Sequence, residues 1–175
     1  MSNFLSKVSH FFIKIKFIYK KGIEGLFRDP LTNLYNRVLL KEYAEREIRR
    51  AGRYASDLYF IMIDIDGLKA INDGEGGHPA GDRALKKIAG ILEKNCRKTD
   101  LLFRIGGDEF LLLMPETFKR GANMFLSRVK KELEGSGLSV SMGFSFWIEN
   151  FSLEELIKIA DENLYKNKKK KPGIM

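Results

Sequence analysis

Only one cysteine, Cys96, occurs in the 175 residues. Neither a disulfide framework nor a cysteine-based zinc site can be built from it, and a reducing compartment fits. No run of about 18 apolar residues exists to span a bilayer. No small-residue cleavage site follows the apolar N-terminal stretch, so a secretory signal is not expected. No long repeat is visible. What is present is a 44% hydrophobic content, enough for a proper core, and a net charge of +8 from 31 Lys+Arg against 23 Asp+Glu. That balance favours anionic partners: nucleotides, nucleic acid or a membrane surface. The aromatic-basic interleaving that stacks on single strands is missing, so no nucleic-acid partner is expected.

The length suggests one domain plus a short extension, divided as residues 1–28 and 29–175. In the first part Phe4, Val8, Phe11, Ile15 and Ile18 are spaced 4-3-4-3, and Lys7, Lys14 and Lys21 recur every seven on another side. This pattern predicts an amphipathic helix with a basic face. Three roles stay open for it: pairing with a second copy, packing on its own domain, or resting on an anionic membrane. The expected location is cytoplasmic, with membrane association through this helix the less favoured case. Gly22 and Gly25 mark a break.

Asp29-Pro30 predicts a helix start, with Asp29 as cap and Pro30 at the first helical position. A helix over about 34–53 and a strand over 58–63, LYFIMI, follow; six apolar residues in a row indicate burial on both faces. Acids stand at the end of that strand, Asp64 and Asp66, where open α/β sheets place their chemistry. A glycine-rich stretch, 67–82, precedes a helix from about 79 to 96. Helices near 119–134 and 152–168 flank a strand near 138–146, and Ser152 with Glu155 reads as a capping box. The order α-β-α-β-β-α-β-α predicts an α/β fold with a mixed sheet flanked by helices.

The chain's organising stretch is 97–114, RKTDLLFRIGGDEFLLLM. Two apolar runs flank Gly106-Gly107-Asp108-Glu109 and read as a hairpin, with Gly-Gly supplying positive φ for a tight turn. Glycines leave room for a ligand to approach, and adjacent carboxylates can hold a hard cation such as Mg²⁺. Taken alone, the tetrapeptide is equally an ordinary turn with surface acids.

Three separated stretches decide the matter. Asp29-Pro30-Leu31-Thr32-Asn33-Leu34-Tyr35-Asn36-Arg37 resembles the opening DxLTGLxNR motif of the GGDEF family. Asp64-Ile65-Asp66-Gly67-Leu68-Lys69-Ala70-Ile71-Asn72-Asp73, then Gly77-His78 and Gly81-Asp82, resemble its DIDxFKxIND…GHxxGD stretch. Arg104-Ile105-Gly106-Gly107-Asp108-Glu109-Phe110 matches its signature. Weaker echoes occur at Ser141-Met142-Gly143 and at 160–165. The resemblance covers about residues 29–170 in the right order.

The resemblance implies a diguanylate cyclase, which joins two GTP into cyclic di-GMP with release of two pyrophosphates. It implies a mainly antiparallel sheet similar to the palm of nucleotidyl cyclases and polymerases. It implies two Mg²⁺ (or Mn²⁺) ions per half-site, bound by Asp64, the Ile65 carbonyl, Asp108 and Glu109, with Asp108 the candidate proton acceptor. Asp66 is read as a structural acid. Lys69 and Lys168 would grip phosphates, although Lys168 also reads as a solvated tail lysine. Asn72 and Asp82 would recognise guanine; His78 is either a ligand contact or a helix cap. Leu68, Gly106 and Gly107 complete the implied substrate contacts. Arg97 and Asp100 have the spacing of the family's RxxD site for the inhibitory product. One set of ligands per domain and two GTP per turnover imply a homodimer, at least transiently. An inactive domain that only binds GTP or cyclic di-GMP is the alternative.

The chain departs from the pattern in places. Leu68 stands where Phe is usual, Asn33 where Gly is, and Gly74-Glu75-Gly76 adds one residue to the guanine loop. Lys171-Pro172 replaces a C-terminal Gly-Arg-Asn. None of these removes a metal ligand.

Overall fold

A computed structural model describes residues 25–170; the predicted N-terminal helix lies outside the described residues. The elements are β1 (Tyr35–Asn36), α1 (Arg37–Tyr54), β2 (Leu58–Ile65), α2 (Leu68–Asp73), α3 (Gly77–Asn95), β3 (Leu101–Arg104), β4 (Glu109–Pro115), α4 (Lys119–Leu133), β5 (Val140–Phe146) and α5 (Leu153–Lys169). They form one five-stranded sheet in the order β1-β3-β4-β2-β5. Only β1 with β3 is parallel; the other pairs are antiparallel. The expected mixed, mainly antiparallel sheet flanked by helices is what forms.

Strand β2 sits between β4 and β5, and all eight of its residues are buried. Its side chains alternate between two cores, as a period of two requires. Tyr59, Ile61, Ile63 and Ile65 pack with α3 and α4 residues such as Ile88, Leu92, Phe125 and Val129. Leu58, Phe60 and Met62 pack with Leu40 and Ala44 of α1 and Leu156 and Ala160 of α5. The continuous apolar run is therefore the signature of a strand covered by helices on both sides.

Three local expectations are corrected. Asp29-Pro30 does not start a helix: α1 begins at Arg37, capped by the Asn36 side chain accepting from Val38 N at 3.0 Å. Residues Tyr35–Asn36 instead form the short strand β1. Gly106 and Gly107 do not have positive φ; among the described residues the positive-φ glycines are Gly67, Gly77, Gly135 and Gly137. The β3–β4 connection is a wider loop of Ile105, Gly106, Gly107 and Asp108, closed by Ile105 N donating to Glu109 O at 3.0 Å. Helix α3 starts at Gly77, so His78 lies inside its first turn, and no side chain caps it. The predicted capping box at Ser152 and Glu155 is present, with both reciprocal bonds.

Candidate functional site

Asp64 and Glu109 are direct partners across β2 and β4. Opposed residues on neighbouring strands point to the same face with Cβ atoms about 5 Å apart, here the face of α1 and α5. The next residue on each strand is tied too: Ile65 N donates to the Asp108 carbonyl at 3.2 Å. Two distant sequence stretches thus deliver their acids to one end of the sheet.

Asp64 is 7% exposed. Burial pushes its carboxyl above the ordinary range, the charges of Asp108 and Asp66 push it further, and Lys168 opposes them. Lys168 Nζ lies 2.7 Å from Asp64 Oδ1; apart from that ammonium, this oxygen has no hydrogen-bond partner. The resemblance put Lys168 on phosphate. In the structure it stands on Asp64, because a buried carboxylate flanked by two like charges is the strongest anion within its reach.

The expected convergence of three carboxylates is only partly present. Among the described residues no three acid, histidine or cysteine side chains gather closely enough to hold a metal ion. Glu109 Oε2 folds back against Gly106, into the space a Cβ would occupy. Gly106 is required for that placement, whereas a Cβ at Gly107 would meet nothing within 4 Å. The donor set fits a hard divalent cation all the same. Carboxylate oxygens are the right ligands, and Asp64 is a buried anion with a free lone pair among like charges.

The loop is held from behind by residues the sequence reading did not place in the site. Arg104, at the end of β3, bonds Asp29 Oδ1 at 2.9 Å and the Gly107 carbonyl at 2.7 Å. Asp29 also accepts from Thr32 N and Thr32 Oγ1 at 2.8 and 2.7 Å. Burial pushes the Asp29 carboxyl up, but these bonds outweigh it and hold the group below the usual range. The opening motif is therefore a brace for the signature loop. Its signal was present in the quoted Asp29, Thr32 and Arg104, but their contact spans 75 residues. Asp66 is bonded by Ser139 Oγ and Ser141 Oγ at 2.7 and 2.6 Å, the behaviour of a structural acid.

On the other side of β2 lie α2 and α3. Lys69 is exposed on α2. Leu68, expected to touch substrate, is 8% exposed and packs in the core, because it is the apolar anchor of a six-residue helix. The Asn72 amide lies against Gly81, which brings it next to Asp82, exposed on the first turns of α3. His78 is exposed on the same turns. Asn72 therefore lies beside the first turns of α3, where His78 and Asp82, four residues apart, share one exposed side.

Arg97 and Asp100 form a closed turn before β3. Arg97 N donates to Asp100 Oδ2 at 2.7 Å and Asp100 N to the Arg97 carbonyl at 3.1 Å. The Arg97 side chain is exposed, whereas Asp100 is 9% exposed. Burial pushes Asp100 up; the Arg97 backbone bond and the charges of Arg97 and Arg128 oppose it. Asp100 Oδ1 has no hydrogen-bond partner. Burial also pushes the neighbouring Cys96 thiol up to about 12, which disfavours the thiolate.

Comparison with known proteins places this geometry. Residues 26–173 match the family described as diguanylate cyclase, GGDEF domain. Diguanylate cyclase DgcP of Pseudomonas aeruginosa is 39% identical over 150 residues, 81% of this chain and 22% of its own length. Diguanylate cyclase DosC of Escherichia coli is 39% identical over 147 residues, 78% of this chain and 32% of its own. The chain thus spans about a fifth to a half of the length of the curated relatives it matches. The crystal structure of diguanylate cyclase SiaD with its activator SiaC, from P. aeruginosa, superposes with a TM-score of 0.77 at 31% identity, covering 94% of this chain and 68% of that one. The coiled coil and GGDEF domain of DgcB from Caulobacter crescentus, in complex with c-di-GMP, reaches 0.85 at 22% identity over 94% and 92%, a likeness of fold.

Proposed function

The chain belongs to the diguanylate cyclase GGDEF-domain family, and from that premise we propose that it condenses two GTP into cyclic di-GMP. Each half-reaction forms a bond between the 3′-oxygen of one GTP and the α-phosphorus of the other. The α-phosphorus to bridging-oxygen bond breaks, pyrophosphate leaves, and the hydroxyl proton passes to a base. Two such steps close the ring. The observation that carries this reading is the in-register pair of Asp64 and Glu109, with Asp108 tied to Ile65 beside them.

Asp64, Asp108, Glu109 and the Ile65 carbonyl would hold the Mg²⁺ or Mn²⁺ ions. Bound there, divalent ions would acidify the hydroxyl and offset triphosphate charge. Asp108, half-buried in the loop, is the group proposed to accept the proton. Lys69, exposed beside the strand end, meets the β- and γ-phosphates, and Lys168 exchanges its carboxylate partner for the same phosphates. Asp82 accepts from guanine N1–H and the exocyclic amine, with Asn72 and His78 on other edges. Adenine lacks that donor pair, so it would leave Asp82 unpaired. Arg97 offers a guanidinium to the phosphates or bases of the inhibitory product, and Asp100 orders the turn that presents it. Each domain carries one such set, so two copies must face each other. Residues 1–28 are proposed to raise their local concentration through the apolar stripe.

The decisive assay is incubation with GTP and Mg²⁺, followed by chromatography for cyclic di-GMP. The Lys168–Asp64 ion pair favours one other reading, a domain that binds nucleotide without turning it over. Nucleotide binding with no cyclic product would establish that reading instead.

A further inference from the structure

Helix α5 carries two asparagines, Asn163 within it and Asn167 in its last turn. Asparagine is a poor helix former, because its amide competes for backbone partners. Spaced four apart, the two share one side of the helix. Both amides reach β5: Asn163 Nδ2 donates to the Phe144 carbonyl at 3.0 Å and Asn167 Nδ2 to the Met142 carbonyl at 2.8 Å.

Those carbonyls are the ones that need donors. Among the described residues, strand β5 is at the sheet edge, with β2 its only strand partner. Trp147 N bonds the Leu58 carbonyl and Asp66 N the Ser139 carbonyl. Antiparallel alternation then turns residues 139, 141, 143, 145 and 147 toward β2, and Met142 and Phe144 away from it. The helix can approach closely because Gly143 stands between them; a Cβ there would strike Leu164 N and the Ala160 carbonyl. A third tie, from Ser145 Oγ to the Leu156 carbonyl at 2.7 Å, fixes the start of the helix. Successive residues are rotated by about 100°. An amide pinned to the β5 edge at Asn167 therefore turns Lys168 inward, where its ammonium meets Asp64 on β2 at 2.7 Å.

We infer that Asn167, supported by Asn163, is a positioning residue: its bond to the Met142 carbonyl fixes the last turn of α5 so that Lys168 is delivered to the acid end of β2 and to the nucleotide phosphates bound there. The phosphate half of this statement rests on the proposed cyclase reading; the delivery to Asp64 does not.

The test is a cycle of Asn167→Ala, Lys168→Ala and the double variant, with Asn163→Ala as a milder companion. Alanine is the better helix former, so α5 is retained. Binding of a non-hydrolysable GTP analogue with Mg²⁺ is measured by calorimetry, and thermal unfolding is followed in parallel. Asn167→Ala is expected to weaken binding about tenfold, the scale of a small misplacement, and less than twofold once Lys168 is already alanine. Its shift in Tm should be the same in both backgrounds. Multiplicative losses of binding would mean that Asn167 acts without Lys168, and the inference would fall. A second readout is independent of nucleotide: lysine acylation resolved by mass spectrometry. Lys168 should react at least about threefold faster in Asn167→Ala, while exposed Lys166 stays unchanged. If the wild-type chain binds no GTP, the cyclase reading fails and the acylation result alone decides. Unchanged Lys168 reactivity would overturn the brace in either case.

Discussion

Asp64 and Asp100 are buried carboxylates at opposite ends of the sheet, 7% and 9% exposed; Asp100 Oδ1 has no hydrogen-bond partner, and Asp64 Oδ1 has none beyond the Lys168 ammonium. Burial pushes both above the ordinary range. Their remaining partners differ. Asp64 faces other acids and the side-chain ammonium of Lys168, a partner that a bound cation or phosphate could displace. Asp100 is held by the main-chain N–H of Arg97, a donor that no ligand replaces without unfolding the turn. A raised carboxyl by itself therefore does not identify a ligand site. The identity of the counter-group does: exchangeable at Asp64, fixed at Asp100.

The largest expected effect is at the exchangeable end. Asp64→Asn should lower cyclic di-GMP formation by about a thousandfold or more, because an amide cannot supply the charge a divalent ion needs, a loss of several kcal/mol. Its Tm should not fall, since a costly buried charge is removed. Near-wild-type turnover in the folded variant would put the two acids on the same footing.

A smaller effect separates the loop glycines. Gly106→Ala should cut turnover by about ten- to a hundredfold, because its Cβ displaces the Glu109 carboxylate, a misplacement of about 1 Å. Gly107→Ala, with open space around it, should retain the fold and be the milder of the two. Equal losses would mean that Glu109's position against Gly106 is irrelevant.

At the fixed end, Arg97→Ala should raise the concentration of cyclic di-GMP needed for inhibition by about tenfold, the loss of one guanidinium-phosphate contact, while sparing turnover. Identical inhibition curves would remove Arg97 from product binding.

The smallest effect is in pH dependence. Because Asp100's native value lies above 3.8, the folded protein takes up that proton before the unfolded chain does as pH falls. Stability therefore gains from this group between the raised native value and 3.8, and loses above it. Asp100→Asn should lack that gain, and should melt no lower than wild type at neutral pH, its amide oxygen still accepting from Arg97 N. A thermal series across acidic pH that overlays the wild-type curve would show that the buried charge is not felt.

Much of the fold was legible because its signals are local. LYFIMI marked the doubly covered strand, Ser152 and Glu155 the start of the last helix, and two apolar runs around Gly106-Gly107 the hairpin. The acids followed, since a strand end and a hairpin tip that pair must bring Asp64 to Glu109. What failed was partner choice over distance. Asp29 beside Pro30 has the local chemistry of a helix cap, yet its oxygen goes to Thr32 and to Arg104 far along the chain. Lys168 in a basic run reads as a phosphate grip or a solvated tail; only the closeness of α5 to β2 shows it on Asp64. Leu68 read as a substrate contact by position in a motif, while its apolar side chain had the core as its stronger claim. Asn163 and Asn167 carried a detectable oddity, two weak helix formers on one helix side, with nothing local to name their acceptor.

The two edges of the sheet have a consequence for how copies of this chain can meet. At one edge β1 is only two residues long, and Tyr35 already bridges to Arg28. At the other, the outward carbonyls of Met142 and Phe144 are occupied by amides. Among the described residues, the first edge is too short and the second has these acceptors taken, so each is a poor template for an added strand. Joining of two domains into a continuous sheet is thereby disfavoured, and with it the route by which exposed edges seed fibres. An encounter between copies is left to loops and helices, contacts that form and part without breaking a backbone ladder. That would suit the proposed condensation, in which two facing domains close on substrate and then part to free the ring.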